Sequence, residues 1–217
     1  LTTSRVEPLK ILRDAVESAE SQGGTLHRWI QASAVPLWHP GSTQEFTETT
    51  SPAAGPGRPN EMSQVVADWE AAAPQEATIL RSGVVLGQDT EITYGLTAMA
   101  LSKTRPHMDG YLPWIHEDDW VGLVHHLLSM SSRPEVVVAV APEQTRLSEA
   151  IHALAPGLGV RSIPLPTPLL RMGMNLIRME PGMLLGSTRA RSHVLDEIGF
   201  QFQFPTIAQA ADAVTIL

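Results

Sequence analysis

Apolar residues recur at helical spacing near the start of the chain, where Val6, Leu9, Leu12, Ala15, Val16 and Ala19 share one face. Ser4 and Glu7 stand three apart as a capping-box pair and Gly23-Gly24 closes the segment, which predicts a helix over 4–22. A strand is read at 26–33, around Leu26, Trp29 and Ile30. Residues 34–60 read as loop, because five prolines from Pro36 to Pro59 interrupt regular hydrogen bonding. Met62, Val65, Val66 and Trp69 mark the inward face of a helix over 61–73 that Pro74 stops. The run 77–86, with Ile79, Leu80, Val84 and Val85, has the continuous apolar character of one strand covered on both faces. Next come a helix over 93–103, a strand over 111–115, and a helix capped by Asp118 or Asp119 that carries Trp120, Leu123, Val124, Leu127 and Leu128. A second buried strand is predicted at 135–140, a helix at 146–155 and a short strand at 160–165. The remainder reads as helices over 169–185, 189–198 and 206–217. Between the last two, Phe200, Phe202 and Phe204 alternate with Gln201 and Gln203 as in a half-buried strand. Alternation of helix with short apolar strand is the pattern of an α/β fold with a parallel sheet.

Composition narrows the function classes. The chain has 217 residues and no cysteine, which removes disulfide scaffolds, Cys-ligated zinc and thiol nucleophiles. A net charge of −8 argues against nucleic acid as a partner, since phosphate neutralisation needs clustered cations. No apolar run approaches the roughly 20 residues of a membrane span, and no signal peptide opens the chain. The expectation is therefore a cytoplasmic protein with neither nucleic-acid nor membrane partners. The excess acid lies before residue 131, while the Arg-bearing remainder is balanced. Tyrosine and lysine are both scarce: Tyr94, Tyr111, Lys10 and Lys103 are all the chain has.

Several stretches occurring in order carry a resemblance. They are Thr3-Ser4-Arg5-Val6-Glu7, Gln31-Ala32-Ser33-Ala34-Val35, Ala67-Asp68-Trp69-Glu70-Ala71-Ala72 and Leu80-Arg81-Ser82-Gly83-Val84-Val85-Leu86-Gly87. Pro113-Trp114-Ile115-His116-Glu117-Asp118-Asp119 follows, then Leu184-Leu185-Gly186-Ser187 and the run from Gly199 to Thr206. Together they resemble the atypical extended short-chain dehydrogenase/reductase proteins of the epimerase family, over essentially the whole chain. The resemblance implies a Rossmann-like parallel sheet over residues 1–142 and a small, mostly helical C-terminal lobe over 143–217. It also implies NADP or NAD as cofactor. Relatives begin with a strand, a glycine-rich turn and a helix that seat the cofactor pyrophosphate. Neither Gly-x-Gly-x-x-Gly nor a P-loop occurs in this sequence. Three readings account for that: a region preceding Leu1, a true truncation, or a half supplied by another chain. The first is favoured, because the sheet edge left by a truncation is a liability.

The family's usual proton relay is a Tyr-x-x-x-Lys pair on one helix, in which the Lys charge lowers the Tyr pKa. Counting from Glu70, the corresponding positions are Met62 and Val66, and neither can titrate. The remaining catalytic candidates are Ser33, at the position of the superfamily's catalytic hydroxyl, and His39, the titratable ring of the Trp38-His39-Pro40 loop. The resemblance implies cofactor contacts from Arg5, Ser33, Ala34, Ser82, Gly83, Val84 and Val85. A surface pairing of Arg5 with Glu7 or Glu20 is the plainer alternative for that residue. No metal site is expected: His116 and the three acids after it point in different directions and read as a helix start, and His125-His126 lie in a helix that exposes one of them. Met172, Met174, Met179 and Met183 read as adaptable packing of the small lobe. The sum is an NAD(P)-binding oxidoreductase or epimerase acting on a small molecule without the usual Tyr/Lys pair, and the resemblance further implies a homodimer through helices 4–22 and 61–73. The alternative is a non-catalytic Rossmann-like module that works through protein contacts.

Overall fold

The computed structural model describes residues 2–38, 44–52, 61–106, 109–154, 163–166, 168–169, 172 and 186–214. Its centre is a three-stranded parallel sheet in the order β1, β3, β8, formed by Ile30–Ala34, Thr78–Ser82 and Val136–Ala139. Ser33 lies opposite Arg81, and Arg81 opposite Val138. The period of two sorts side chains between the faces. Leu80, Val137 and Ala139 enter one core with Leu123 and Leu127 of α4, Glu117–Ser129. Val138 and Val140 enter another with Val35, Trp38 and Phe46. Phe46 belongs to β2, Glu45–Phe46, and stacks on Trp38 with ring centroids 5.2 Å apart.

Helix α1, Thr2–Ser21, packs on α2, Glu61–Ala71, and α2 lies against β1 and a single 3₁₀ turn at Val35–Leu37. Of the apolar stripe predicted for α1 only Leu9 is buried, and the adjoining Ile11 and Leu12 are exposed. Ser4 lies inside this helix, so it is not an N-cap.

The apolar run at 77–86 is two strands, not one. β3 ends at Ser82 and β4 is Val84–Leu86, which pairs with β7, Trp114–His116. Gly83 is the step between them: its N–H donates to Ala139 O at 3.0 Å, while that of Val84 donates to Pro113 O at 2.8 Å. The chain thereby passes from one neighbour to the next. β4 and Trp114 of β7 join a core with α3 (Glu91–Leu101), α5 (Leu147–Ala153) and α7 (Ile207–Val214). Short strands β5 (Thr104–Pro106), β6 (Tyr111–Leu112), β9 (Thr145–Arg146) and β10 (Ile163–Leu165) link these elements: β5 pairs with β10 and β6 with β9.

The strand at 26–33 begins only at Ile30 and runs to Ala34. The cap of α4 is His116, whose Nδ1 accepts from Asp118 N at 3.1 Å, because the following acids have other work. Asp119 is buried and accepts from Gln203 N and Phe204 N at 2.7 and 3.0 Å, which also explains why 200–204 is extended yet forms no strand ladder. A carboxylate replaces the partner strand. The helix predicted at 189–198 is instead β11, Arg189–Ala190, paired with β2, followed by the single turn α6, Val194–Glu197. Glu48 blocks the longer helix by accepting from Ser192 Oγ and His193 N. The helix predicted at 169–185 falls almost wholly outside the described residues.

A Cβ at position 83 would lie 2.8 Å from Pro113 O and 2.9 Å from a Val140 methyl carbon. Gly83→Ala should therefore cost about 1–3 kcal/mol through displaced backbone. Urea unfolding measures it, and an unchanged midpoint would contradict the close approach at this step.

Candidate functional site

A charged residue inside an apolar strand must find a counter-charge or destabilise the sheet. Arg81 finds Glu70, near the end of α2: Nε donates to Oε1 at 2.9 Å and Nη2 to Oε2 at 3.0 Å. Ser33, beside Arg81 in the sheet, donates its hydroxyl to the same Oε1 at 2.5 Å. The side chains of Arg81 and Glu70 are only 5% and 13% exposed. The guanidinium also sits 5.5 Å from the centroid of the Trp38 ring. This network ties α2 across two strands.

One and two helical turns before Glu70, the same helix presents Val66 and Met62 to a cleft of about 230 Å³. The cleft opens outside the C-terminal ends of the central strands, where open α/β sheets hold ligands. Ala34, Ser82, Gly83 and Val84 supply the strand-end side. Met62, Val65, Val66 and Trp69 supply the α2 side, with Val35, Pro36 and Trp38 beside them. Pro113, Gly186 and Thr188 complete the described lining. Arg5 is the single charged residue on it, exposed at the rim, with its guanidinium 5.1 Å from the Trp69 ring centroid. That contact replaces the acid pairing considered for Arg5, since Glu7 is held by Lys10 at 3.0 Å. A larger groove of about 560 Å³ runs between α1 and β1, but it is open and lies along the sheet rather than at the strand ends.

The structure brings together most of the residues expected to bind cofactor. Arg5, Ala34, Ser82, Gly83 and Val84 all line the cleft. Ser33 lies beneath it, buried and bound to Glu70, and is not on the described lining. Val85 turns to the other side and packs against the α4 core. His39 lies outside the described residues. Ser82 Oγ accepts from Trp120 Nε1 at 2.8 Å and keeps its hydrogen to donate. His116, buried with Nε2 unpaired, packs against Phe204 at 3.9 Å and takes no part in the cleft. His125 is exposed, and His126 Nε2 lies 3.3 Å from Ile198 O.

The Glu70–Arg81 pair and the indole walls were not read from the sequence as site elements. The signal for the first was present, since Arg81 interrupts the apolar run at 77–86 and buried arginine is almost always paired. Trp38 and Trp69 gave none, because helix and loop aromatics look alike whether they line a core or a cleft. Glu70→Ala strands a buried guanidinium and should cost about 3–5 kcal/mol, whereas Ser33→Ala removes one charge-assisted hydrogen bond worth about 1.5–3 kcal/mol. Denaturant unfolding of both variants checks the order. An Ala at 70 that costs less than the Ala at 33 would contradict the network.

Residues 165–214 match a family model described as a domain of unknown function, DUF1731. The human epimerase family protein SDR39U1 is 30% identical over 217 residues, covering 95% of this chain and 71% of that protein. A crystal structure of the human protein (isoform 2) with NADPH superposes with a TM-score of 0.82 at 26% identity, covering all of this chain and 74% of that one. A nucleoside-diphosphate sugar epimerase from Corynebacterium glutamicum shares the fold, with a TM-score of 0.71 at 20% identity over 97% of this chain and 41% of its own. The Rossmann-like parallel sheet implied by the resemblance is thus the one found. Among the described residues no helix is long and apolar enough to cross a membrane. With that identity extending along both chains, the protein belongs to the epimerase family of atypical short-chain dehydrogenase/reductase proteins.

Proposed function

We propose that this chain is an NAD(P)-binding oxidoreductase or epimerase that acts on a small molecule without a Tyr/Lys proton relay. The observation that carries the reading is the cleft at the ends of β1 and β3, lined there by Ala34, Ser82 and Gly83. The NADPH in the human relative's structure supports the same reading. The residues present fit a nicotinamide. The Ser82 hydroxyl has a hydrogen for a carboxamide oxygen, and Arg5 offers a guanidinium at the rim for a phosphate. When bound, the nicotinamide would supply hydride transfer.

The chain's own part is to position and to exclude water. Met62 and Val66 leave the wall facing the reacting end without a group that exchanges protons. Ser33, held by Glu70, acts in this reading as a positioning residue that fixes the helix. The product's proton comes from solvent or from His39. A second reading, a non-catalytic module working through protein contacts, draws on the same two residues, since loss of the relay is also how such a module would look.

Nucleotide binding divides the readings. At a concentration one hundred times Kd, a ligand stabilises by about 2.7 kcal/mol, or roughly 5–10 °C in melting temperature for a chain of this size. In the full-length protein NADPH or NADH should raise the melting temperature by that order. No shift with either at saturation contradicts the oxidoreductase reading.

A further inference from the structure

A buried hydroxyl without a partner is costly, because it has given up hydrogen bonds to water and gained none in return. Elsewhere the fold keeps to that rule. Ser33 donates to Glu70, Thr78 to the Pro134 carbonyl and Ser192 to Glu48. Thr93 meets the hydroxyl of Thr90, and Thr145 accepts from Trp114 Nε1. Thr188 departs from it. The residue lines the strand-end cleft and is only 8% exposed, yet its hydroxyl has no hydrogen-bond partner among the described residues.

The main chain that carries this hydroxyl is held firmly. Thr188 N donates to Tyr111 O at 3.3 Å, and Ser187 Oγ accepts from Tyr111 N at 3.1 Å. Directly after it, β11 pairs with β2, and Glu48 accepts from Ser192 and His193. The same hydrogen bonds fix its place in the cleft. Pro113 O accepts from Val84 N, and Tyr111 O accepts from Thr188 N. Carbonyls two residues apart on an extended stretch face the same edge, so Val84 and Thr188 lie along one edge of 111–113. At about 3.3 Å of rise per residue they are roughly 7 Å apart. Thr188 therefore stands past Val84, away from the Ser82 hydroxyl already given to the carboxamide, and is left to serve whatever lies next to the nicotinamide.

We propose that the Thr188 hydroxyl is the substrate's hydrogen-bond partner, and that the group it binds is a ketone oxygen or that of the corresponding alcohol. The inference rests on the proposed use of the cleft as the reaction site. A hydroxyl both donates and accepts, so Thr188 donates to the ketone and accepts from the alcohol without changing its own charge. It holds and polarises the oxygen but keeps its proton, which accords with a wall where Met62 and Val66 exchange none.

The test uses the full-length protein and two probes of like shape: cyclohexanone, and methylenecyclohexane, in which a CH₂ group replaces the oxygen. Both are titrated by saturation-transfer NMR with NADP⁺, which leaves the ketone unreduced, and again without nucleotide. NADPH affinity is measured separately by calorimetry. Thr188→Val keeps the shape and removes the hydroxyl. It should weaken cyclohexanone about three- to tenfold, the worth of one neutral hydrogen bond, and leave methylenecyclohexane and NADPH unaffected. Its melting temperature should not fall, since no protein partner is lost, and Thr188→Ser should restore ketone affinity. If the Val variant unfolds, the wild-type protein still decides through cross-relaxation between the Thr188 methyl group and the ketone ring protons. Equal loss for both probes, full ketone affinity in a folded Val variant, weakened NADPH binding, or a ketone that does not bind beside Thr188 overturns the proposal. Absence of NADPH binding with the ketone discrimination intact would instead remove the oxidoreductase reading and leave the Thr188 contact standing.

Discussion

One carboxylate organises the functional end of this molecule. Glu70 accepts from Ser33 on β1 and twice from Arg81 on β3, so a single side chain clamps α2 across two neighbouring strands. The arrangement is costly to desolvate and stable only because the acceptors are used together. Arg81 Nη1 has no hydrogen-bond partner, and the guanidinium lies near the Trp38 ring instead. With the end of α2 fixed in this way, its preceding two turns have no freedom over which residues they show to the strand ends. Val66 and Met62 become cleft wall as a consequence of where Glu70 is held.

The second constraint is the step at Gly83. A continuous strand from 78 to 86 would have kept one neighbour throughout and closed the crevice. Breaking it after Ser82 lets β3 pair with β8 and β4 with β7, and the gap between those pairings is where the main chain faces the cleft. The C-terminal segment is fastened by the same device used at the site, carboxylates accepting backbone N–H groups. Glu48 holds His193, Asp119 holds 203 and 204, and Glu143 holds the start of α7 at Ile207. The acidic surplus in the front part of the chain is thus partly structural, since Glu48 and Asp119 bind main chain instead of meeting solvent.

Much of this was legible in the residues. The α/β alternation and the three central strands followed from apolar runs, whereas the break at Gly83 that makes Ser82 a strand end did not, since 77–86 reads as one strand. Elements defined by long-range partners were not legible. Asp119 looked like a helix cap because sequence spacing cannot reveal that 203 and 204 need an acceptor. The segment 189–198 has helical composition, yet its first residues pair with Glu45–Phe46, some 144 positions earlier in the chain. Ser33 was correctly set at the end of β1, but its hydroxyl direction depends on Glu70, 37 residues away. The Met62/Val66 positions were identified by counting from Glu70, and the stripe they form looked like core until the cleft beside it was seen.

The central claim is that a nicotinamide sits at the strand ends, between Val84 and the apolar face of α2. Isotope-edited NMR on methyl-labelled protein with bound NADPH tests it directly. Cross-relaxation between the nicotinamide ring protons and the methyl groups of Val84 and Val66 is the predicted result. Contacts confined to Leu9 and Leu12 in the groove along α1, with none at Val84, would contradict it.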